Sequence, residues 1–271
     1  MASTLFEQGY RRVLITGSSS GIGLALAKEL IAADIEVIGV SRSPDKILSK
    51  QYTHLEVDLL DEADLETLLH FTQKNPPDIW INNAGQGLIG DVCSHNRDVI
   101  EANRQLLYDI PVLLSRHFKE IVKTMGNPCL RQYLVQVSSL AVELPIPNMP
   151  YYNAAKSALS AFSQSMLLDQ KLPFSLIDFR PGDFDTGFMM SDSILNSSTA
   201  NSPIHEKLIA QHRKAPKPEI AAKGLLKAIR FQRTGIVRCG NIFQSKIAPF
   251  GIRLLPVRLM HFLIRKYYKY I

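Results

Sequence analysis

Short apolar runs alternate with helix-like segments over the first 180 residues, and this alternation restricts the fold more than any other feature. The runs are continuously apolar, so both faces of each strand would be buried. Strands of this kind that alternate with helices are typical of a parallel sheet covered by helices on both faces. The predicted strands are residues 12–16, 36–40, 54–57, 78–81, 132–137, 174–179 and 235–239, and the predicted helices are residues 22–33, 61–74, 104–125, 152–171 and 219–232.

Composition excludes several classes of protein. The chain has 271 residues, 46% of them hydrophobic, which is enough for a sizeable core. Cys93, Cys129 and Cys239 are widely spaced, which indicates a reducing compartment and neither disulfides nor a metal site. The chain start lacks the apolar run of a signal peptide, and no stretch is long enough to span a membrane. We therefore expect a cytoplasmic protein, and the dispersed net charge of +6 argues against nucleic-acid binding.

A glycine-rich turn, residues 16–23 (TGSSSGIG), joins the first predicted strand to the first helix. Glycines at such a junction let the backbone turn tightly and approach a phosphate, while the helix N-terminus supplies N–H donors. The spacing differs from the GxGxxG of longer dinucleotide folds. We interpret the turn as a nucleotide phosphate site whose serines form the turn and bind phosphate or ribose. The alternative is a glycine turn with a structural role only.

Residues at the ends of the next two strands concern the choice of nucleotide. An acidic residue after the second strand binds a ribose 2′-hydroxyl, whereas an arginine accommodates a 2′-phosphate. This chain has Arg42 between two serines there, which favours NADP(H); the alternative is an ordinary surface arginine. Asp58, after the third strand, would either accept a hydrogen bond from the adenine amino group or cap the helix that starts near Asp61.

A second group of polar residues has the spacing of a proton-transfer site. Tyr152 and Lys156 are four residues apart and share one face of a predicted helix, and Ser139 ends a preceding strand. A lysine ammonium beside a phenol lowers the phenol pKa from about 10, so that it exchanges a proton near neutral pH. The alternative is a tyrosine on a helix flank with a solvated lysine. Tyr151 has no lysine four residues on and is expected to be a packing residue.

Together these motifs resemble the short-chain dehydrogenase/reductase family, in family order and spacing over residues 11 to about 190. The resemblance implies one doubly wound Rossmann domain, with a parallel sheet of about seven strands and helices on both faces, and a nicotinamide cofactor. The matching elements are residues 16–23, residues 82–85 (NNAG), Asn103, Ser139, Tyr152 with Lys156, and Pro181 and Gly182 followed by Thr186.

The resemblance also implies a role for each catalytic residue. Tyr152 would be the acid in reduction and the base in oxidation. Lys156 would lower the pKa of Tyr152 and bind the nicotinamide ribose, and Ser139 would hydrogen-bond the substrate oxygen. Asn103 would anchor a water that relays protons to Lys156.

The implied cofactor contacts extend from the glycine-rich turn to the segment after the sixth strand. Asn82 and Gly85 would shape the floor under the adenosine, with Asn82 partly structural. The Phe184 backbone would lie near the carboxamide, and the Thr186 hydroxyl near the carboxamide or a phosphate. The expected NADP(H) contacts are Gly17, Ser19, Ser20, Gly21, Ile22, Gly23, Arg42, Asp58, Leu59, Asn83, Ala84, Gly85, Tyr152, Lys156, Pro181, Gly182, Phe184 and Thr186.

Apolar residues dominate the expected substrate side. The segments 140–146 and 187–202 contain no Lys or Arg that could bind a substrate carboxylate or phosphate. They therefore favour a lipid-like, steroid-like or long-chain ketone, although methionines of this kind also occur in ordinary cores. Asp183 and Asp185 are expected to cap the next helix. The predicted lid, at about residues 187–215, includes Phe188, Met189, Met190, Ile194 and Leu195, and the facing wall includes Leu140, Val142, Leu144 and Ile146.

The C-terminal tail, residues 249–271, is apolar, aromatic and basic, with no acidic residue. After Pro256 it predicts a helix with Leu259, Phe262 and Leu263 on one side. Such a helix suits a membrane surface, where aromatic rings and cations meet the lipid headgroups. The alternative is a helix packed on its own domain or on a second subunit.

The sequence therefore predicts a catalytic domain over residues 1–248 followed by the tail. We expect an NADP(H)-dependent oxidoreductase that interconverts an apolar ketone and a secondary alcohol and forms a homodimer or homotetramer. Two alternatives belong to other classes of protein: a non-catalytic NADP(H)-binding or redox-sensing module, and a membrane-surface scaffold that uses the tail.

Overall fold

The computed structural model contains a seven-stranded sheet in which all neighbouring strands are parallel. It describes residues 2–43, 47–125, 130–169, 172–186, 188, 210, 214–241, 245, 251 and 255–267. The strands are β1 (Arg12–Thr16), β2 (Glu36–Ser41), β3 (Tyr52–Glu56), β4 (Ile79–Asn82), β5 (Tyr133–Val137), β6 (Ser175–Pro181) and β7 (Gly235–Cys239). Their order is β3-β2-β1-β4-β5-β6-β7, so the chain builds outward from β1 first in one direction and then in the other.

Helices cover both faces of this sheet. One face packs against the helices Gly21–Ile31 and Pro218–Arg230, through residues that include Leu26, Leu30 and Leu225. The other face packs against the helices Glu62–Lys74 and Ile110–Thr124, through residues that include Leu68 and Phe118. The predicted doubly wound α/β fold is therefore confirmed. Within the described ranges the helices are α1 (Ala2–Glu7), α2 (Gly21–Ile31), α3 (Glu62–Lys74), α4 (Arg97–Arg104), α5 (Ile110–Thr124), α6 (Pro150–Leu167), α7 (Pro218–Arg230) and α8 (Val257–Tyr267).

The helix predicted over residues 104–125 differs most from the structure. Its axis begins earlier, with α4, and a π-helical segment, Gln105–Asp109, separates α4 from α5. Pro111 lies in the first turn of α5, where its missing N–H and fixed φ are tolerated. The π segment buries Leu107, whose side chain lies against Gly85 in the site described below.

The structure also bears on what was expected of the C-terminal segment and of membrane-spanning helices. The predicted helix after Pro256 is confirmed as α8. In the part of the chain that the structure describes, no helix combines the length and apolarity needed to cross a membrane. The division of the chain at residue 248 remains a prediction.

Candidate active site

The candidate site is a cavity of about 720 Å³ at the carboxyl ends of the parallel strands. It lies where β1 and β4 are neighbours although the chain passes through β2 and β3 between them. Ligands bind at this point in doubly wound sheets, because the connections leave it on opposite sides and open a crevice. Nearly all of the predicted cofactor contacts line the cavity: Gly17, Ser19, Ser20, Gly21, Ile22, Arg42, Asp58, Leu59, Asn83, Ala84, Gly85, Tyr152, Lys156, Pro181, Gly182, Phe184 and Thr186.

The glycine-rich turn brings β1 and α2 close together. Gly17 has a φ of +69°, and a Cβ there would lie 2.8 Å from the Cα of Ala84. Gly23 does not line the cavity; a Cβ on it would lie only 2.1 Å from the Gly17 carbonyl oxygen, so its role is close packing of helix on turn. The Ser20 side chain makes no capping hydrogen bond to α2. The N-terminal amides of this helix therefore suit an anionic group such as a dinucleotide pyrophosphate.

The two asparagines after β4 have separate structural tasks. The Asn83 side chain donates to the carbonyl oxygens of Thr16 at 2.9 Å and Gly17 at 3.1 Å, which fixes the turn against β4. Asn82 is buried and donates to Gln136 Oε1 at 3.1 Å, which ties β4 to β5. Asn82 therefore holds together the strands beneath the site and does not line the cavity.

The polar residues at the ends of β2 and β3 lie at the far end of the cavity. Arg42 is exposed there, as a side chain available to a phosphate would be. Ser41 Oγ lies 2.9 Å from His54 Nε2. Asp61, and not Asp58, caps α3 by accepting a hydrogen bond from the Asp64 amide at 3.0 Å. Asp58 is thus left facing the cavity.

The proton-transfer residues come together on α6 and the loop before it. Tyr152 and Lys156 share one buried face of α6, and Ser139 lies close enough to Tyr152 to lower the pKa of its hydroxyl. Lys156 Nζ donates to the Val137 carbonyl oxygen at 2.7 Å, which holds the ammonium at the end of β5. These three residues line the same cavity. The structure thus brings together the residues that the spacing predicted.

The pKa values of this pair depend chiefly on burial. Burial raises the pKa of Tyr152 to about 12; the nearby Ser139 hydroxyl lowers it and the negative charge of Asp183 raises it. Burial lowers the pKa of Lys156 to about 8, although the charge of Asp178 acts in the opposite direction. The expected lowering of the Tyr152 pKa is therefore wrong, because desolvation of the phenolate outweighs the favourable contacts.

Asn103 lies deeper than the cavity surface. Its Nδ2 donates to the Gln86 carbonyl oxygen at 3.3 Å, and its Oδ1 is a buried oxygen without a partner among the described residues. A buried acceptor of this kind is normally satisfied by an ordered water. This geometry fits the proposed water anchor, although Asn103 itself does not line the cavity.

The loop before α6 is held rigidly. Asn153 Nδ2 donates to the Ile146 carbonyl oxygen at 2.8 Å, and its Oδ1 accepts from the Ile146 amide at 3.2 Å. Leu140, Leu144 and Ile146 line the cavity, as expected for an apolar wall, but Val142 does not. Tyr151 points elsewhere and donates to the Val92 carbonyl oxygen at 2.6 Å, as a packing residue would.

Only part of the predicted lid is described. The Phe188 ring meets the Tyr152 ring edge-on, with centroids 5.4 Å apart. Asp183 lines the cavity, while the helix that it was expected to cap lies outside the described residues. The other predicted lid residues, Met189, Met190, Ile194 and Leu195, also lie outside the described residues.

A buried ionic network beside the site was not predicted. Asp178 on β6 accepts hydrogen bonds from Ser160, at 2.7 Å, and from Arg180, at 2.8 and 3.0 Å. Arg180 also pairs with Glu143, and Glu143 pairs with Arg238 on β7 at 2.8 Å. Glu143 ends the short 3₁₀ turn that follows Ser139. The network therefore ties the Ser139 loop to two strands.

Residues of the C-terminal segment also line the cavity, which the sequence had left open. Met260 and Ile264 lie four residues apart on α8, so they share one face of that helix. The i, i+4 spacing of Met260 and Ile264 is the sequence signal that could have predicted this contact. It does not single out their face, because Leu259 and Phe262 are apolar as well and lie on another face of α8. The cavity-lining residues of this segment are Gly251, Leu255, Met260, Leu263 and Ile264.

Comparison with known proteins gives a family match. A family model described as short chain dehydrogenase matches residues 11–193. An uncharacterized oxidoreductase of Schizosaccharomyces pombe is 32% identical over 192 residues, which are 68% of this chain and only 64% of that protein. A 3-ketodihydrosphingosine reductase of Bacteroides thetaiotaomicron is 24% identical over 94% of this chain and 97% of its own length. The structure of a short-chain dehydrogenase from Streptomyces avermitilis covers 91% of this chain and aligns over 94% of its own, with a TM-score of 0.73 and 20% identity.

Proposed function

Because the chain belongs to the short-chain dehydrogenase family and is an oxidoreductase of that type, we propose that it reduces an apolar ketone to a secondary alcohol with NADPH. The observation that carries this proposal is that the buried side chains of Tyr152, Ser139 and Lys156 line the wall of one cavity. A phenol, a hydroxyl and an ammonium at one cavity wall are suited to protonate a carbonyl oxygen.

The pKa values favour the reductive direction. With a pKa of about 12, Tyr152 carries its proton at neutral pH and can donate it. Lys156, with a pKa of about 8, is mostly a cation at neutral pH and stabilises the phenolate that this donation leaves. Ser139 holds the substrate oxygen while negative charge develops on it. A bound nicotinamide would supply the hydride.

The residues at the far end of the cavity support NADPH over NADH. Arg42 lies at the carboxyl end of β2, where a cation accommodates a ribose 2′-phosphate. The Ser19–Ser20 turn suits the pyrophosphate, and so does the start of α2, where the Ser20 side chain makes no capping hydrogen bond. The remaining predicted contacts, from Asp58 to Thr186, line the cavity between these two ends.

The substrate end of the cavity is apolar. Phe188 and Ile146 pack in the hydrophobic cluster that contains Tyr152. Leu144 and, on α8, Met260 and Ile264 also line the cavity. This lining supports a lipid-like, steroid-like or long-chain carbonyl over a sugar. The similarity to a 3-ketodihydrosphingosine reductase, whose name indicates a long-chain ketone, supports the same class.

The finer expectations on partners and location complete the proposal. We propose a homodimer or homotetramer in the cytoplasm, with the tail in contact with a membrane surface. The non-catalytic sensor would bind NADPH without turnover, and the scaffold would bind membranes without turnover. Sedimentation velocity of the full chain tests the oligomer, and the activity measurement below separates the enzyme from both alternatives.

A ketone series graded by chain length and ring number, with NADPH consumption as the readout, tests the reaction. We expect Tyr152→Phe to lower kcat by about 10²–10⁴-fold, because it removes the proton donor, while NADPH binding is retained.

Tyr151→Phe is the matched control. Tyr151 is the adjacent tyrosine, and its hydroxyl bonds to Val92 outside the cavity, so activity should remain near that of the wild type. Near-wild-type turnover by Tyr152→Phe would overturn the proposed mechanism.

A further inference from the structure

Helix α8 presents apolar side chains on two different faces. Ile264 is buried and Met260 is partly buried, and both line the cavity. Leu259, Phe262 and Leu263, at positions i, i+3 and i+4, form a second stripe that is exposed to solvent. One face of α8 thus lines the cavity, and the other is an apolar surface that is exposed among the residues that the structure describes.

The charged residues of α8 and of the C-terminal tail all have the same sign. Arg258, Arg265 and Lys266 of α8 are all exposed. Residues 249–271 contain no Asp or Glu. An exposed apolar stripe on a helix that carries cations and no acidic residue is complementary to an anionic lipid surface, in which the stripe enters the acyl boundary and the cations meet the headgroups.

The exposed stripe and the cavity meet at one residue. Leu263 is 44% exposed and also lines the cavity. A bilayer that covers the stripe would therefore adjoin the cavity wall formed by Met260 and Leu263. An apolar substrate that passed along this side would avoid transfer through water, which costs more with each exposed CH₂ group.

We propose that α8 docks on an anionic bilayer and admits the apolar substrate to the cavity directly from that bilayer. This inference rests on the proposed function, since it concerns how the same site obtains its substrate. It makes the lipid surface a partner of the active site and α8 the element that joins them.

Phe262→Asp tests the docking in the full-length protein. We expect the wild type to co-sediment with vesicles of phosphatidylcholine and phosphatidylserine in equal parts, and poorly with phosphatidylcholine alone. The variant should bind the anionic vesicles at least roughly tenfold more weakly, because a negative charge replaces the aromatic ring that the bilayer would bury. Phe231→Asp is the matched control, since Phe231 is 58% exposed and Phe262 51%, and Phe231 does not line the cavity; it should bind like the wild type.

Two ketones test the link to the active site. Phe262→Asp should raise the KM for a long-chain methyl ketone held in the anionic vesicles by about tenfold, and leave kcat/KM for a short water-soluble ketone within about twofold. If the wild type binds the vesicles but reduces neither ketone, the proposed function fails and the docking stands.

Three results would overturn the inference. The first is a wild type that does not bind anionic vesicles. The second is equal vesicle binding by Phe262→Asp and the wild type. If the variant binds vesicles like the wild type but dissociates an oligomer, the exposed stripe is a subunit contact and the inference is overturned in the same way. The third is an equal loss of activity on both ketones, which would give α8 only a structural role in the site.

Discussion

At the residue scale, burial sets the pKa values of the proposed catalytic pair, Tyr152 and Lys156. The Tyr152 and Lys156 spacing alone suggests a phenol with a lowered pKa, yet the pKa of Tyr152 is raised to about 12 and that of Lys156 is lowered to about 8. Both changes have the same cause, because removal of water penalises the charged form of each group. At neutral pH Tyr152 is consequently a protonated donor next to the Lys156 cation, and Lys156 loses its charge above about pH 8.

The pH dependence of reduction follows from these values. Reductive kcat/KM should be level near neutral pH and fall above about pH 8, because Lys156 then loses the positive charge that stabilises the Tyr152 phenolate. The sign is fixed by the lowered pKa of Lys156: the cation is present below that value and absent above it. Initial rates measured with a saturating cofactor from neutral to alkaline pH check this.

A level profile to pH 10 would contradict the prediction, since an unperturbed lysine remains charged almost to that value. Control assays after return to neutral pH exclude irreversible loss of the fold.

At the element scale, a buried ionic network fixes the Ser139 loop to the sheet. Glu143, at the end of the turn after Ser139, pairs with Arg180 on β6 and Arg238 on β7. The Arg180 side chain is 6% exposed and that of Arg238 is 25% exposed. Buried charges that lose a partner are strongly destabilising, whereas partly exposed pairs contribute little.

Arg180→Met and Arg238→Met should therefore differ in stability. Arg180→Met should lower the free energy of unfolding by about 3–5 kcal/mol, because it leaves the buried Asp178 carboxylate without its cation and leaves Glu143 with only one of its two cations. Arg238→Met should cost about 1 kcal/mol or less. Urea unfolding at neutral pH measures both, and equal losses in the two variants would show that Arg180 does not hold the network together.

At the scale of the whole molecule, the cavity joins the two halves of the sheet. Arg42 and Asp58 come from the β2–β3 side, Gly17 from β1, and Tyr152 and Thr186 from the β5–β6 side. A ligand that extends along this cavity contacts both halves, and it stabilises the folded chain in proportion to its occupancy.

NADPH should therefore stabilise the full chain more than NADH does. At about one hundred times its Kd, NADPH should raise the free energy of unfolding by about 2.7 kcal/mol. Arg42→Ala should reduce the effect of NADPH and leave that of NADH nearly unchanged, because in the proposed cofactor site Arg42 would contact only the 2′-phosphate. Thermal unfolding with each cofactor measures the difference; equal stabilisation of the wild type by both would refute the role of Arg42.

Local signals predicted most of the elements and the site residues. The continuous apolar strands, the glycine-rich turn and the i, i+4 spacing of Tyr152 and Lys156 each act over a few residues, so they can be recognised without a structure. The π-helical segment after Asn103 and the cap by Asp61 in place of Asp58 follow from local competition between several acceptable hydrogen bonds. Sequence reasoning does not resolve such competition.

The sequence by itself determined the parallel α/β fold and predicted which residues meet in the proposed proton-transfer site, because periodicity and motif spacing are properties of the chain. Only the tertiary structure decided the direction of the Tyr152 pKa, the network around Glu143 and the two-faced position of α8 at the cavity. Each of these depends on burial and on contacts between residues far apart in the chain. Those quantities exist only after the strands and helices have packed.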